Sequence, residues 1–139
     1  MMFASLVAAL VAVPAALGAL TSVSFDPVYD NAANSLAIVA CSDGSNGLLT
    51  KGFTTFGSLP SFPNIGGAPA VEGFNSAACG TCWQLSFNGT SINVTAIDTG
   101  AKGFNIAQEA LDKLTNGTSA QVGRINATAV QVDASGCGL

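Results

Sequence analysis

The chain has 139 residues, 49% of them hydrophobic and 9% charged, with eight Asp/Glu against four Lys/Arg for a net charge of −4 and no histidine. So small a charged share excludes disorder by charge excess, and with no basic run to neutralise phosphates, nucleic acid is not an expected partner. Without histidine, Ser-His and Cys-His triads and the commonest zinc and iron sites are excluded, and neither a metal nor a cofactor is expected.

Residues 1–19 are expected to be a signal peptide. From Met1 to Leu20 no side chain is charged, and the Ala/Val/Leu run from Leu6 to Leu17 is broken by Pro14 and followed by the small residues Gly18 and Ala19. Pro14 and the small residues suit cleavage near Gly18 or Ala19 better than an uncleaved anchor. The mature domain is then 20–139, one domain of ordinary size, with no membrane attachment after cleavage. Export also places Cys41, Cys79, Cys82 and Cys137 in an oxidising compartment, where two disulfides are the default and three pairings are open. A redox-active dithiol at Cys79-Gly80-Thr81-Cys82 is the sharper alternative, but no βαβ pattern flanks it.

Along the mature chain, Val23, Phe25 and Tyr29 alternate with polar neighbours and predict a first strand. Leu59 to Phe74 holds Pro60, Pro63, Pro69, Gly66, Gly67 and Gly73 and reads as a long irregular loop, of the kind that is usually functional or covalently anchored. Trp83, Leu85 and Phe87 alternate up to Asn88-Gly89, a strong hairpin signal, and Ile92, Val94 and Ala96 form the return strand ending at Asp98-Thr99-Gly100. Ile106, Ala107, Ala110, Leu111 and Leu114 fall at helical spacing. Asn105 and Gln108 are placed as a capping-box variant, and Asn116-Gly117 as the stop. Thr128, Val130 and Val132 alternate as a last strand. The expected fold class is mainly β with one or two short helices, closed or nearly closed into a barrel.

Cys41-Ser42-Asp43-Gly44 with Gly47-Leu48, Gly57 to Pro60 leading into Phe62-Pro63-Asn64-Ile65-Gly66-Gly67, Cys79-Gly80-Thr81-Cys82-Trp83, Asp98-Thr99-Gly100 and Gly103-Phe104-Asn105 together resemble the cerato-platanin family. The order and spacing hold over nearly all of the mature chain, to Cys137 near its end. The resemblance implies a secreted, monomeric fungal protein of the medium and the fungal cell wall. It implies a six-stranded double-psi β-barrel, similar to the first domain of expansins, with disulfides Cys41 to Cys79 and Cys82 to Cys137. It further implies binding of chitin-type N-acetylglucosamine oligomers, elicitation of plant defence through host receptors, and expansin-like loosening of cellulose without cutting it.

The residues also have a chemistry of their own. Asp98 closes an apolar strand beside a turn, where its carboxylate can bind sugar hydroxyls, protonate a glycosidic oxygen, or simply cap the turn. Inverting hydrolysis needs a second carboxylate about 6.5–9.5 Å away, and no other Asp or Glu is tied to Asp98 by local spacing. Carbohydrate binding without catalysis is therefore the expectation, with weak hydrolysis through Asp98 and a surface-active, self-assembling wall protein as alternatives. Tyr29 is placed either at the groove or half-buried in the core. Asn105 either offers its amide to a sugar or caps the helix. The Gly80-Thr81 turn either offers backbone N–H donors or is a purely covalent corner, and Trp83 is expected to pack on the neighbouring cystine. Asn88, Asn93, Asn116 and Asn126 open Asn-X-Thr sequons and are candidates for glycosylation.

Overall fold

The computed structural model describes residues 18–139, so the expected leader lies almost wholly outside the described residues. The strands are β1 (Ala19–Phe25), β2 (Ile65–Ala68), β3 (Cys82–Phe87), β4 (Thr90–Thr99), β5 (Phe104–Ile106) and β6 (Arg124–Val132). They close into a barrel in the order β1-β5-β2-β4-β3-β6. The pairs β1/β5 and β2/β4 are parallel and the other four antiparallel. Helices α1 (Gln108–Thr115) and α2 (Ser119–Val122) complete the mainly β architecture anticipated from the sequence.

The strongest local signals became the elements they indicate. Asn88 and Gly89 both take positive φ, 46° and 80°, the conformation whose twist matches that of the flanking strands in a two-residue hairpin. Phe87 then pairs with Thr90, and the ladder runs back to Cys82 opposite Thr95. Asn116, left-handed at φ 55°, ends α1 where expected.

Four details differ from the sequence expectation. Tyr29 lies beyond β1, in a 3-10 turn over Pro27–Asp30. On β6 the buried face is Ile125, Ala127 and Ala129, leaving Thr128 exposed and Val130 and Val132 half-exposed, so the small residues rather than the valines point inward. Strand β2 sits inside the segment read as irregular loop. Its Ile-Gly-Gly-Ala sequence has little β propensity, and it forms because its glycines admit two crossing backbones. A Cβ on Gly66 would stand 2.3 Å from the Asn105 carbonyl oxygen and one on Gly67 2.1 Å from that of Thr99.

The fourth concerns the start of α1. Asn105 belongs to β5 and does not cap the helix; Ala107 is the N-cap residue and makes no side-chain cap. The carboxylate of Asp30 caps instead, accepting from the N–H groups of Gln108 and Glu109, each at 2.9 Å. A capping carboxylate contributes about 1 kcal/mol and complements the helix dipole, and here it also ties the 3-10 turn holding Tyr29 to the helix.

Leu36, Leu48 and Phe56 come from the irregular chain between β1 and β2 yet are fully buried in the same core as the strands. Two disulfides fasten this arrangement, Cys41 to Cys79 and Cys82 to Cys137. That is the pairing the resemblance implied. Because Cys79 and Cys82 are bonded to different partners, the pair is no dithiol.

Candidate functional site

Asp98 sits next to last in β4, where β3 no longer covers the strand edge and loop backbone takes its place. There Gly80 N–H donates to the Ala96 carbonyl at 2.9 Å, Ala96 N–H to Thr81 at 2.9 Å, and Cys41 N–H to Ile97 at 3.1 Å. The half-buried Asp98 carboxylate joins three elements. Its Oδ1 accepts from the N–H of Ala40 at 3.1 Å and of Thr99 at 2.9 Å, and its Oδ2 accepts from the Tyr29 hydroxyl at 2.8 Å. An ionised carboxylate has about four acceptor positions, so one remains on Oδ2. Asp98 thus caps its turn, as one sequence alternative held, and still keeps an acceptor position for a hydroxyl.

Tyr29 proves to be a core tyrosine whose hydroxyl reaches Asp98. It is 5% exposed, its ring packs on Phe56 with centroids 6.1 Å apart, and only its hydroxyl reaches Asp98. It cannot offer a face for a sugar to stack on. Burial, and then the Asp98 carboxylate it donates to, push the phenol far above its ordinary value, with a smaller push from Asp26. A group raised in the fold gives stability that is complete below its unfolded value and lost above it. Stability should therefore begin to fall above about pH 10, by about 1.4 kcal/mol per pH unit. Tyr29 is the chain's single tyrosine, so tyrosinate absorbance should appear only as the protein unfolds. Tyr29→Phe should lack this component of the alkaline loss, and a phenolate titrating near its ordinary value in the folded protein would refute the assignment.

Asn105 is brought near but into a different surface. Register places Arg124 of β6, Ser24 of β1, Asn105 of β5, Gly67 of β2 and Asp98 of β4 side by side across five strands. With strands about 4.8 Å apart, Asp98 and Asn105 are about 10 Å apart at the backbone. The Thr99 carbonyl fills the space above Gly67 between them. Asn105 instead lines a recess under the 99–103 turn, which Asp98 does not line.

The Gly80-Thr81 turn does not supply donors. Gly80 N–H is bonded to Ala96 and Thr81 N–H to Ala78 at 3.2 Å, while the Thr81 hydroxyl donates to Ala78 at 2.6 Å and accepts from the Trp83 indole at 2.8 Å. The corner is structural. Trp83 does not pack as expected on the cystine of Cys82. Consecutive strand residues face opposite ways, and the indole meets Phe104 edge-on, with centroids 5.8 Å apart.

Most other carboxylates hold backbone. Asp26 accepts from Val28, Asp30 from the start of α1, Asp112 from Ser119 and Asp133 from Ser135, each in a bond of 2.9 to 3.0 Å. That turn contact holds the Asp133 carboxyl below its ordinary value. Of the sequon asparagines, Asn88, Asn116 and Asn126 are exposed. Asn93 is half-buried on a groove of about 520 Å³. Its amide nitrogen, the atom a glycan would use, donates to the Gly136 carbonyl at 3.0 Å.

Residues 21–139 match the family model described as Cerato-platanin. "Allergen Asp f 15 homolog" of Arthroderma benhamiae is 55% identical over 127 residues, 90% of this chain, and the chain spans 62% of that relative's length. The crystal structure of cerato-platanin 2 from M. perniciosa superposes with a TM-score of 0.82 at 49% identity, covering 87% of this chain and all of that one. An expansin from Clavibacter michiganensis in complex with cellohexaose shares the fold more distantly, with a TM-score of 0.57 at 18% identity over 83% of this chain and 51% of that one.

Proposed function

The chain belongs to the cerato-platanin family, and from that membership we propose that it is a secreted fungal wall protein that binds N-acetylglucosamine oligomers without hydrolysing them. The observation that carries this is the Asp98 carboxylate, fixed by three donors at the end of β4 with one acceptor position left for a saccharide hydroxyl. Preorganised acceptors of this kind orient a ligand at little entropic cost. With Tyr29 buried and Trp83 turned to Phe104, neither offers Asp98 an aromatic plate, which favours weak binding to an extended polymer. The expansin that shares this barrel was crystallised with cellohexaose, which supports a polysaccharide surface and, in the same reading, non-hydrolytic loosening of cellulose. Recognition by host receptors, with the protein acting as a secreted monomer, is part of the same proposal. The exposed Asn88, Asn116 and Asn126 are the positions open to glycans, and Asn93 is closed to them.

Titrating an N-acetylglucosamine hexamer into the isotope-labelled protein tests the proposal. The amides of Ala40, Asp98 and Thr99 should shift, and no reducing ends should appear from chitin or cellulose over days. Absence of any shift would remove the binding site. Reducing ends that vanish in Asp98→Asn would make the protein a hydrolase instead.

A further inference from the structure

The recess beside Asn105 has a chemistry that Asp98 does not share. It encloses about 310 Å³ under the 99–103 turn, and its polar side chains are Ser24, Thr99, Lys102, Asn105 and Arg124. Two of the chain's four cations line it and none of its eight carboxylates does, in a protein of net charge −4. That concentration of positive charge runs against the composition.

The polar groups are turned to donate. Ser24 Oγ donates to Asn105 Oδ1 at 3.1 Å, which holds the amide oxygen and leaves the amide nitrogen with two free N–H donors. Arg124 is the exposed end of the cross-strand row, and it is anchored through one guanidinium nitrogen to the Ser22 hydroxyl, leaving the rest of its donor fork open. Lys102 projects from the turn itself and is exposed. A guanidinium, an ammonium and an amide N–H₂ on one concave surface match a group with two or three anionic oxygens, because charge-assisted bonds to such oxygens are roughly twice as strong as neutral ones. A neutral hydroxyl would leave both cations unanswered.

We propose that this recess is a subsite for the carboxylate of an acidic sugar, a uronate unit, in a saccharide lying along the barrel. That the ligand is a saccharide rests on the carbohydrate-binding proposal above; that its charge is negative rests on the recess alone.

Separate titrations with a galacturonic acid trimer, an N-acetylglucosamine hexamer and sodium acetate, followed by amide shifts, test this. The trimer should shift the amides of 101–105 in the native protein, and raising the salt from 0.1 to 1 M, which shortens the screening length from about 10 to about 3 Å, should weaken it. Lys102→Gln/Arg124→Gln, two exposed positions whose change leaves the fold intact, should weaken the trimer about tenfold or more while leaving the hexamer unchanged. No shift at 101–105, or equal affinity in the double variant, overturns the subsite. Acetate shifting the same amides as tightly as the trimer would reduce it to an anion hole and overturn the uronate assignment. A trimer that binds while the hexamer does not would sustain the subsite and refute the N-acetylglucosamine proposal, so the two failures are distinct.

Discussion

Reducing both disulfides is expected to lower the melting temperature by roughly 25 °C or more, the largest single effect on this fold. The two bridges close stretches of 38 and 55 residues that do not overlap, since one ends at Cys79 and the other begins at Cys82. Each closure restricts the unfolded chain by about 4 kcal/mol in the loop-entropy model. Being disjoint, the two contributions add to about 8 kcal/mol, comparable with the whole stability of an ordinary domain at about 5–15 kcal/mol. The first bridge confines the irregular chain that carries Leu48 and Phe56 into the core, and the second ties the C-terminal turn to β3. Calorimetry with and without reductant measures the sum. Cys41→Ala/Cys79→Ala and Cys82→Ala/Cys137→Ala should each show about half of it. The first variant should also loosen Ala40, whose N–H holds Asp98, and so weaken saccharide binding before it melts. A melting temperature that hardly moves on reduction would mean that the loops are held by their packing alone.

The barrel was legible wherever a signal was local. Alternation at Trp83, Leu85 and Phe87 and the left-handed pair Asn88-Gly89 need only their neighbours, and they foretold β3, the hairpin and β4. The cysteine pairing came with the family pattern, not from spacing. What escaped was decided at long range. Strand β2 has no strand-forming side chains except Ile65, and only the approach of the Asn105 and Thr99 carbonyls explains why glycine stands at positions 66 and 67. The cap of α1 is Asp30, 78 positions before Gln108, while the local candidate Asn105 is drawn into β5 by its pairing with Ser24 and Gly67. The site shows the same division. Asp98 was singled out from its place after an apolar strand, and Tyr29 was left between groove and core, where the structure buries it. Their hydrogen bond crosses 69 positions and no spacing announces it. The donors assigned to Gly80 and Thr81 looked free because a turn's own bonds are invisible in a sequence. Lys102 and Arg124 meet only because β6 closes on β1.

Substituting Asp98 is expected to destabilise the protein as well as weaken binding, and the two losses can be separated. Asp98→Ala leaves the Tyr29 hydroxyl buried without an acceptor and two backbone N–H groups unbonded, a loss of about 3 kcal/mol at the costs typical of unsatisfied donors. Tyr29→Phe removes the donor and leaves the half-buried carboxylate in reach of water, which costs about 1–2 kcal/mol. Because both variants break the same bond, the double variant should fall short of their sum by about 1.5–3 kcal/mol, the range for a hydrogen bond to a charged group. Asp98→Asn is a poor isostere here. Its carbonyl oxygen can serve the N–H groups of Ala40 and Thr99 while its N–H₂ donates to the Tyr29 hydroxyl oxygen, which leaves the buried Tyr29 O–H without the acceptor it had. Lost binding in Asp98→Asn alone could therefore come from a disturbed loop. Combining it with Tyr29→Phe removes that unpaired O–H, so the double variant should regain about 1 kcal/mol over Asp98→Asn. If it folds as well as Tyr29→Phe and still fails to bind the N-acetylglucosamine hexamer while Tyr29→Phe binds within a few-fold of native, the carboxylate oxygen itself holds the sugar. If binding returns with stability, Asp98 acts only as a fastener, and the saccharide contacts lie elsewhere on the barrel.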